Sequence, residues 1–471
     1  VRNNINRYNS IKAVLEKSGA TTLVLNRLFR KLSIKIILTG EKVMLSSSSI
    51  RQKMNRGDYD EALEKLYSPV PVARSKMRFL EAIDKFETLF GPYRQCILIS
   101  APGRTEIGGN HTDHQHGRVL AAAVNLDILC IASPNDEGLV RLQSEGYPRL
   151  EISLQELDPI PSEYEQTNAL IRGIAAWFSN RRLPICGFDA YCTSDVLSGS
   201  GLSSSAAFEI AIGNIINILG GSSVSPEQIA IAGQFAENHY FGKPSGLMDQ
   251  MASSVGGAIG IDFLNPDTPL IRPVELGNFL KDFHLCIVNT GGSHANLTEQ
   301  YASIPLEMSQ VANFFGKEVL REVEQEDFRR QIRPLRERLG DRAVLRAMHF
   351  FQDNGRIPLL IDALETGDLD AFFQHIIGSG RSSFTYLQNV IPEGSTQQQG
   401  LALALAVSEE LLQGRGAWRV HGGGFAGTIQ AFVPNDLLST YMNAINQIFG
   451  SGACHVLSIR PVGGVEVTET L

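Results

Sequence analysis

No stretch of this 471-residue chain approaches the ~18 consecutive apolar residues that a membrane helix needs, which excludes an integral helical membrane protein. Cysteine is scarce and scattered. Cys96, Cys130, Cys186, Cys192, Cys286 and Cys454 form neither a CxxC pair nor a zinc-type spacing, so free thiols in a reducing, cytoplasmic compartment are expected. Positive charge is not in excess, since 42 Lys and Arg face 50 Asp and Glu for a net charge of −8, and nucleic acid is not expected as a partner. There is no GxxxxGK[ST] loop and no GxSxG elbow, which removes Walker-type nucleotide binding and the α/β-hydrolase mechanism. With 43% hydrophobic and 20% charged residues the chain is not of the disordered class. What remains is a chain about three times a ~150-residue domain, so two domains or more are expected.

The charge is uneven along the chain. Residues 1–43 carry nine Lys and Arg against Glu16 and Glu41, a surplus of +7 that leaves −15 for the rest. Two readings of this basic extension stand: an arm or transit segment, or a native start at Met44 with residues 1–43 outside the native protein. No functional expectation is built on it.

From Met44 the pattern is that of an ordinary globular protein. Apolar periodicity predicts helices over 58–67, 74–90, 169–178, 206–219 and 230–240, and helix-rich stretches over 300–350, 357–377 and 398–412. Short apolar runs predict strands over 96–100, 119–124, 128–133, 139–143, 187–193, 258–263, 284–289, 418–420, 428–433 and 455–460. Strands and helices mix without regular βαβ alternation, which points to an α+β fold.

Three glycine-rich segments carry the candidate chemistry. Residues 197–207 (LSGSGLSSSAA) run straight into an apolar helix. Small residues let backbone N–H groups approach a ligand, and a helix N-terminus concentrates unpaired donors, so this is a candidate phosphate cradle. The alternative is a helix capped by serine after a flexible loop. Residues 101–117 (APGRTEIGGNHTDHQHG) crowd Arg104, Glu106, His111, Asp113, His114 and His116 onto a loop after a strand, which suits a hydroxyl-rich ligand better than zinc. Residues 421–427 (HGGGFAG) satisfy GxGxxG, but a strand follows where a dinucleotide fold needs a helix. A tight turn between two strands is the alternative there. A fourth piece, QFAENHYFGKPSGLMDQ, sets Glu237 and Asp249 twelve residues apart.

In this order the segments resemble the galactokinases of the GHMP small-molecule kinase superfamily, over roughly residues 75 to 465. PGRTEIGGNHTDHQHG looks like their sugar signature, GSGLSSSAAFE like their phosphate loop, and QFAENHYFGKPSGLMDQ like their catalytic-carboxylate segment. The run from His294 to Tyr301, LREV at 320–323 and HGGGFAG follow in the same order. The resemblance implies a two-domain α+β architecture: a ribosomal-S5-like N-terminal domain over 44–280 and a C-terminal GHMP kinase domain over 281–471, with the active site between them. It implies a catalytic carboxylate at Asp249 with Arg104 beside it, and sugar contacts at Asn110, His111, Asp113, Gly246 and Tyr301. Gly199, Ser200, Gly201, Leu202, Ser203 and Ser204 would line the phosphates, and Ser205 and Glu237 would bind Mg2+. The implied reaction is ATP-dependent phosphorylation of the C1 hydroxyl of galactose or a related sugar. Sugar and ATP would be its partners, with no nucleic acid, membrane or obligate protein partner. The alternatives are a kinase for another sugar or amino sugar, and a non-catalytic galactose and ATP sensor.

Four positions depart from the family pattern. Asn110 stands where the family has Glu, Glu106 where it has Asn, and Leu197 where it has Pro, and the usual aromatic near the nucleotide has no counterpart around Gln166–Asn168. Asn110 loses a charge and gains a donor, so it is expected to alter how the sugar is read, with Glu106 and His114 as candidates to compensate.

Overall fold

The computed structural model describes residues 44–196, 201–243, 245–276, 281–292 and 297–468. The readings of residues 1–43, and the phosphate-loop residues Gly199 and Ser200, lie outside these described residues. Two sheets organise the rest, and the chain from Ser46 onward is one compact unit.

The larger sheet is built on two long antiparallel strands, Gln95–Gly108 and Arg118–Asn135. Beyond the second lie Gly187–Ser194, Leu139–Ser144 and Leu150–Ser153, with a branch formed by Ala258–Asp262 and Leu270–Val274. Pairing is antiparallel except between Leu139–Ser144 and Gly187–Ser194. The first strand does not stop at Pro102-Gly103, as the proline suggests. A register shift there lets it run on to Gly108, because a bulge tolerates a residue without an N–H. Likewise the expected strands at 119–124 and 128–133 are one strand, passing through the fully buried Asp127.

Asp127 explains how a carboxylate sits in a strand interior. Arg78 donates to it at 2.5 Å, Tyr67 at 2.6 Å, and Arg460 lies 3.5 Å away. Burial raises its pKa, but the two guanidiniums outweigh burial and hold it below the usual carboxylate range. The last strand, Val465–Glu466, returns to the first strand of this sheet and brings the Arg460 segment with it.

The smaller sheet has the order Ala417–His421, Thr428–Pro434, Phe283–Asn289, Cys454–Leu457, all antiparallel. The two-residue period of its strands decides what meets what. Trp418, Val420, Ile429, Ala431 and Val433 pack with Leu401, Ala404, Leu412, Tyr441 and Ile445 from helices Gly400–Leu412 and Leu438–Phe449. The intervening residues point the other way: Arg419, His421 and Gln430 reach the Gln95–Gly108 strand. Helices Thr298–Phe314 and Asp341–Thr366 pack together around Ile304, Met308, Ala347 and Phe350.

Several elements had no clear signature. Helices Ser47–Arg56 and Leu438–Phe449 and strands Leu150–Ser153, Leu270–Val274 and Val465–Glu466 are short or weakly patterned. The expectation of free thiols needs correcting. Cys130 and Cys192, 62 residues apart in sequence, face each other in register on neighbouring strands and form a disulfide, while Cys96, Cys186, Cys286 and Cys454 are free. Sequence spacing carries no trace of that register.

Candidate active site

Arg104 sits just past the bulge in the first long strand. Gly103 makes this approach feasible, since a Cβ there would lie 2.9 Å from the Leu202 carbonyl oxygen. That carbonyl accepts the Arg104 backbone N–H at 3.0 Å. The Arg104 guanidinium then forks onto Asp249, Nε to Oδ1 at 2.7 Å and Nη2 to Oδ2 at 2.5 Å, and its Nη1 donates to the Gly201 carbonyl. One buried cation thus joins the carboxylate to the phosphate loop. Asp249 stands in the first turn of helix Met248–Val255 with its side chain 29% exposed. Burial raises its pKa, yet Arg104 and the Ser203 hydroxyl prevail and hold it below the usual carboxylate range.

The helix after the phosphate loop begins at Ser204, with Ser203 at its N-cap in the left-handed region at φ 57°. Ser203 makes no side-chain capping bond, so the reading of this segment as a serine-capped helix fails. Ser204 and Ser205 are partly exposed in the first turn, whereas the Leu202 side chain is fully buried and anchors the loop.

Asp113 opens a 3-10 turn, Asp113–Gln115. Any side chain at Gly246 would collide with its carboxylate, so the two segments are in close contact. Burial, then the nearby charge of Asp249, raise the Asp113 pKa to about 6. His111 takes φ 56° and its Nε2 meets the Gly423 carbonyl at 3.0 Å, with the His114 ring 5.6 Å away. Burial lowers His111 to about 4 and His114 to about 3, so both rings are neutral near pH 7. Both His114 ring nitrogens are buried without a partner. Tyr301 donates to the Gly424 carbonyl at 2.7 Å and packs edge-on against Phe425.

Asn110 is buried, whereas His111, Asp113, Gly246 and Tyr301 are partly exposed. It is 1% exposed, and its amide donates to Glu106 at 3.1 Å and Gly422 at 2.6 Å, while its oxygen accepts from Asn389 at 2.8 Å and Ser383 at 3.3 Å. Its donors and its acceptor are all engaged inside the protein. Of the two candidate compensators, Glu106 touches it and His114 does not appear among its partners.

Glu237 lies where the helix Pro226–Ala236 widens into a π turn, Glu237–Phe241. Its oxygens meet Lys243 at 2.7 Å and Ser245 at 2.6 Å, and Gln250 donates to both Glu237 and the fully buried Glu209 at 2.9 Å each. Among the described residues no group of three or more His, Cys, Asp or Glu stands ready to hold a metal ion. Lys243, Gln250, Glu209, Asn389 and Arg419 escaped the sequence reading. Gln250 adjoins Asp249, Lys243 lies inside the carboxylate segment, and Arg419 alternates with His421, but none has a spacing that announces a role.

A family model described as the galactokinase galactose-binding signature matches residues 84–134, and one described as the GHMP kinases N terminal domain matches residues 169–257. A galactokinase of Actinobacillus pleuropneumoniae is 32% identical over 367 residues, covering 75% of this chain and 89% of that protein. The solved galactokinase of Lactococcus lactis in complex with galactose superposes with a TM-score of 0.71 at 25% identity, covering 81% of this chain and 98% of that one. A solved mevalonate kinase, at 16% identity and a TM-score of 0.56 over 77% of this chain and 99% of its own, shares the fold.

Proposed function

The chain belongs to the galactokinase family, and from that premise we propose that it transfers the γ-phosphoryl group of ATP to the C1 hydroxyl of galactose. The observation that carries the reading is the Arg104 guanidinium, bonded at once to Asp249 and to the phosphate-loop carbonyl of Gly201. Such a link holds an acceptor-side carboxylate in fixed relation to a phosphate cradle, which is what in-line transfer needs.

Asp249 orients the sugar hydroxyl and accepts its proton late, since a carboxylate held below its usual range is a weak base early in the reaction. Arg104 keeps it ionised and faces the charge that develops on the transferring group. His111, Asp113, Gly246 and Tyr301 belong to the sugar side. Gly199, Ser200, Gly201, Leu202, Ser203 and Ser204 belong to the phosphate side, where the helix beginning at Ser204 offers N–H donors. Magnesium fits the donors at Glu237 and Ser205, because it commonly uses one or two protein oxygens with phosphate and water completing its shell. The Lys243 side chain, 59% exposed, is the partner that Glu237 would exchange. When bound, the ion would offset charge on the phosphates. A division into lobes over 44–280 and 281–471, with the last strand returning to the first lobe, and a cytoplasmic setting are parts of the same reading.

An ADP-release assay of purified protein against galactose, N-acetylgalactosamine, glucose, mannose and arabinose tests it. Release is expected with galactose foremost. Silence on all five sugars with ATP and magnesium present would overturn the proposal.

A further inference from the structure

The wall behind the sugar side contains a buried charge pair that the reaction does not use directly. Arg419 is fully buried on the smaller sheet and donates to Glu106 on the larger one at 2.5 Å, and to the Ile107 carbonyl at 2.7 Å. Glu106, 3% exposed, also accepts from Asn110. Asn110 in turn holds the Gly422 carbonyl, and its partner Asn389 donates to the Gly423 carbonyl at 3.1 Å. The same turn receives His111 at Gly423 and Tyr301 at Gly424. A continuous set of hydrogen bonds therefore runs from the Arg419–Glu106 pair to the polar ends of two sugar-side residues.

The turn itself has little freedom to adjust. Gly422 and Gly424 have φ values of 66° and 80°, and a Cβ on Gly423 would lie 2.6 Å from the Tyr301 ring. A displacement of the Gly422–Gly424 carbonyls is thus passed to His111 and Tyr301. The Asn110 and Glu106 side chains touch at 3.1 Å, and Arg419 meets the same carboxylate from the other sheet.

We propose that Glu106 and Arg419 are positioning residues for the sugar, acting through Asn110 on the Gly422–Gly424 turn, and that Glu106 and Asn110 function as one coupled unit. This rests on the galactokinase reading of the cleft. A buried ion pair seldom outperforms apolar packing in stability, so a role in placing other groups is the better account of it.

A double-mutant cycle tests the proposal with E106N, N110E and the exchange E106N/N110E, measuring sugar KM, ATP KM, kcat and thermal midpoint for each. N110E sets two carboxylates against one guanidinium, and E106N leaves Arg419 without its carboxylate. Each single variant is expected to raise the sugar KM by ~5–100-fold, with the exchange recovering most of that loss through coupling. ATP KM is expected to stay within about twofold, since the affected groups lie on the sugar side. E106Q, which keeps the shape and removes the charge, must also raise the sugar KM, and it decides the matter if N110E does not fold. Single variants that lose thermal stability while sugar KM keeps pace with ATP KM would reduce the pair to packing. Additive losses in the exchange would dissolve the unit. A wild-type chain inactive on every sugar would defeat the functional reading alone. The thermal midpoints of the same four proteins would still show coupling, which supports the unit, or additivity, which overturns it.

Discussion

The two glycine-rich turns that flank the site are made from the same small residues and differ in what holds their carbonyls. Around Gly201, the turn runs into a helix whose N-cap Ser203 makes no side-chain cap, and the Gly201 and Leu202 carbonyls both accept from Arg104. Around Gly422–Gly424, every carbonyl is taken: Asn110 holds the first, His111 and Asn389 the second, Tyr301 the third. The first turn is tied to one strand residue, and the second to four side chains from across the fold. A glycine run is therefore not a binding site by composition. What decides its use is which backbone groups the surrounding side chains leave over.

Substitutions on either side can break that contrast, the strongest at the carboxylate that Arg104 ties to the first turn. Asp249→Asn is expected to lower kcat by ~10²–10⁴-fold, with much smaller changes in sugar or ATP affinity. Equal losses in kcat and affinity would make Asp249 a binding residue. Gly424→Ala forces a left-handed backbone at φ 80° and drives a Cβ into the Asn389 carbonyl, so a loss of about 2–4 kcal/mol in chemical denaturation is expected. Gly201→Ala is also held in the left-handed region, at φ 71°, but the atoms nearest its Cβ are side-chain atoms of His421 and Thr428 at 3.0 Å. It should cost about 1–2 kcal/mol and act chiefly on ATP KM. Similar stability losses at both glycines would erase the distinction.

Asp113→Asn sharpens it through pH. Burial and the charge of Asp249 lift this carboxyl from 3.8 to about 6, so the folded chain holds the proton more tightly than the unfolded one. The cost of ionising it is present in full above pH 6 and fades as pH falls towards 4. The amide variant should accordingly be more stable than wild type at pH 8, by about 1–3 kcal/mol, and no more stable at pH 4, while binding sugar more weakly. Midpoints that differ equally at both pH values would rule out this origin.

The smallest effect compares two serines. Ser225 makes a capping box with Gln228 at the helix Pro226–Ala236, and Ser225→Ala should cost about 1 kcal/mol. Ser203→Ala should leave the thermal midpoint nearly unchanged and show itself in kcat, because its hydroxyl serves Asp249 and not the helix. A midpoint shift at Ser203 as large as that at Ser225 would restore the capping reading.

Much of this site is legible without coordinates. Arg104, Asp249 and the serine run at 203–205 stand in ordered, spaced motifs, and the structure brings Arg104, Gly201 and Asp249 into direct contact. The α+β mixture follows from the two periodicities. Element limits were harder to read where tertiary pairing overrode a local signal. Pro102-Gly103 looks like a strand end until a bulge accommodates it, and Asp127 looks like a break until Arg78, Tyr67 and Arg460 surround it. Asn110 shows the limit. The resemblance implies a sugar contact there, and its neighbours in space are Glu106, Asn389 and the Gly422 carbonyl, two of them about three hundred residues distant.

Sequence alone determined the residue types, their order along the chain and the periodicities that make strands and helices, because these are local properties of covalent neighbours. Tertiary structure alone decided which polar atoms remain available. The register that joins Cys130 to Cys192, the alternation that turns Arg419 towards Glu106, and the saturation of Asn110 all depend on groups far apart in the chain. A polar atom has few hydrogen-bonding positions, filled by whichever partners the fold brings within about 3 Å, and no reading along one dimension can tell which partners those will be.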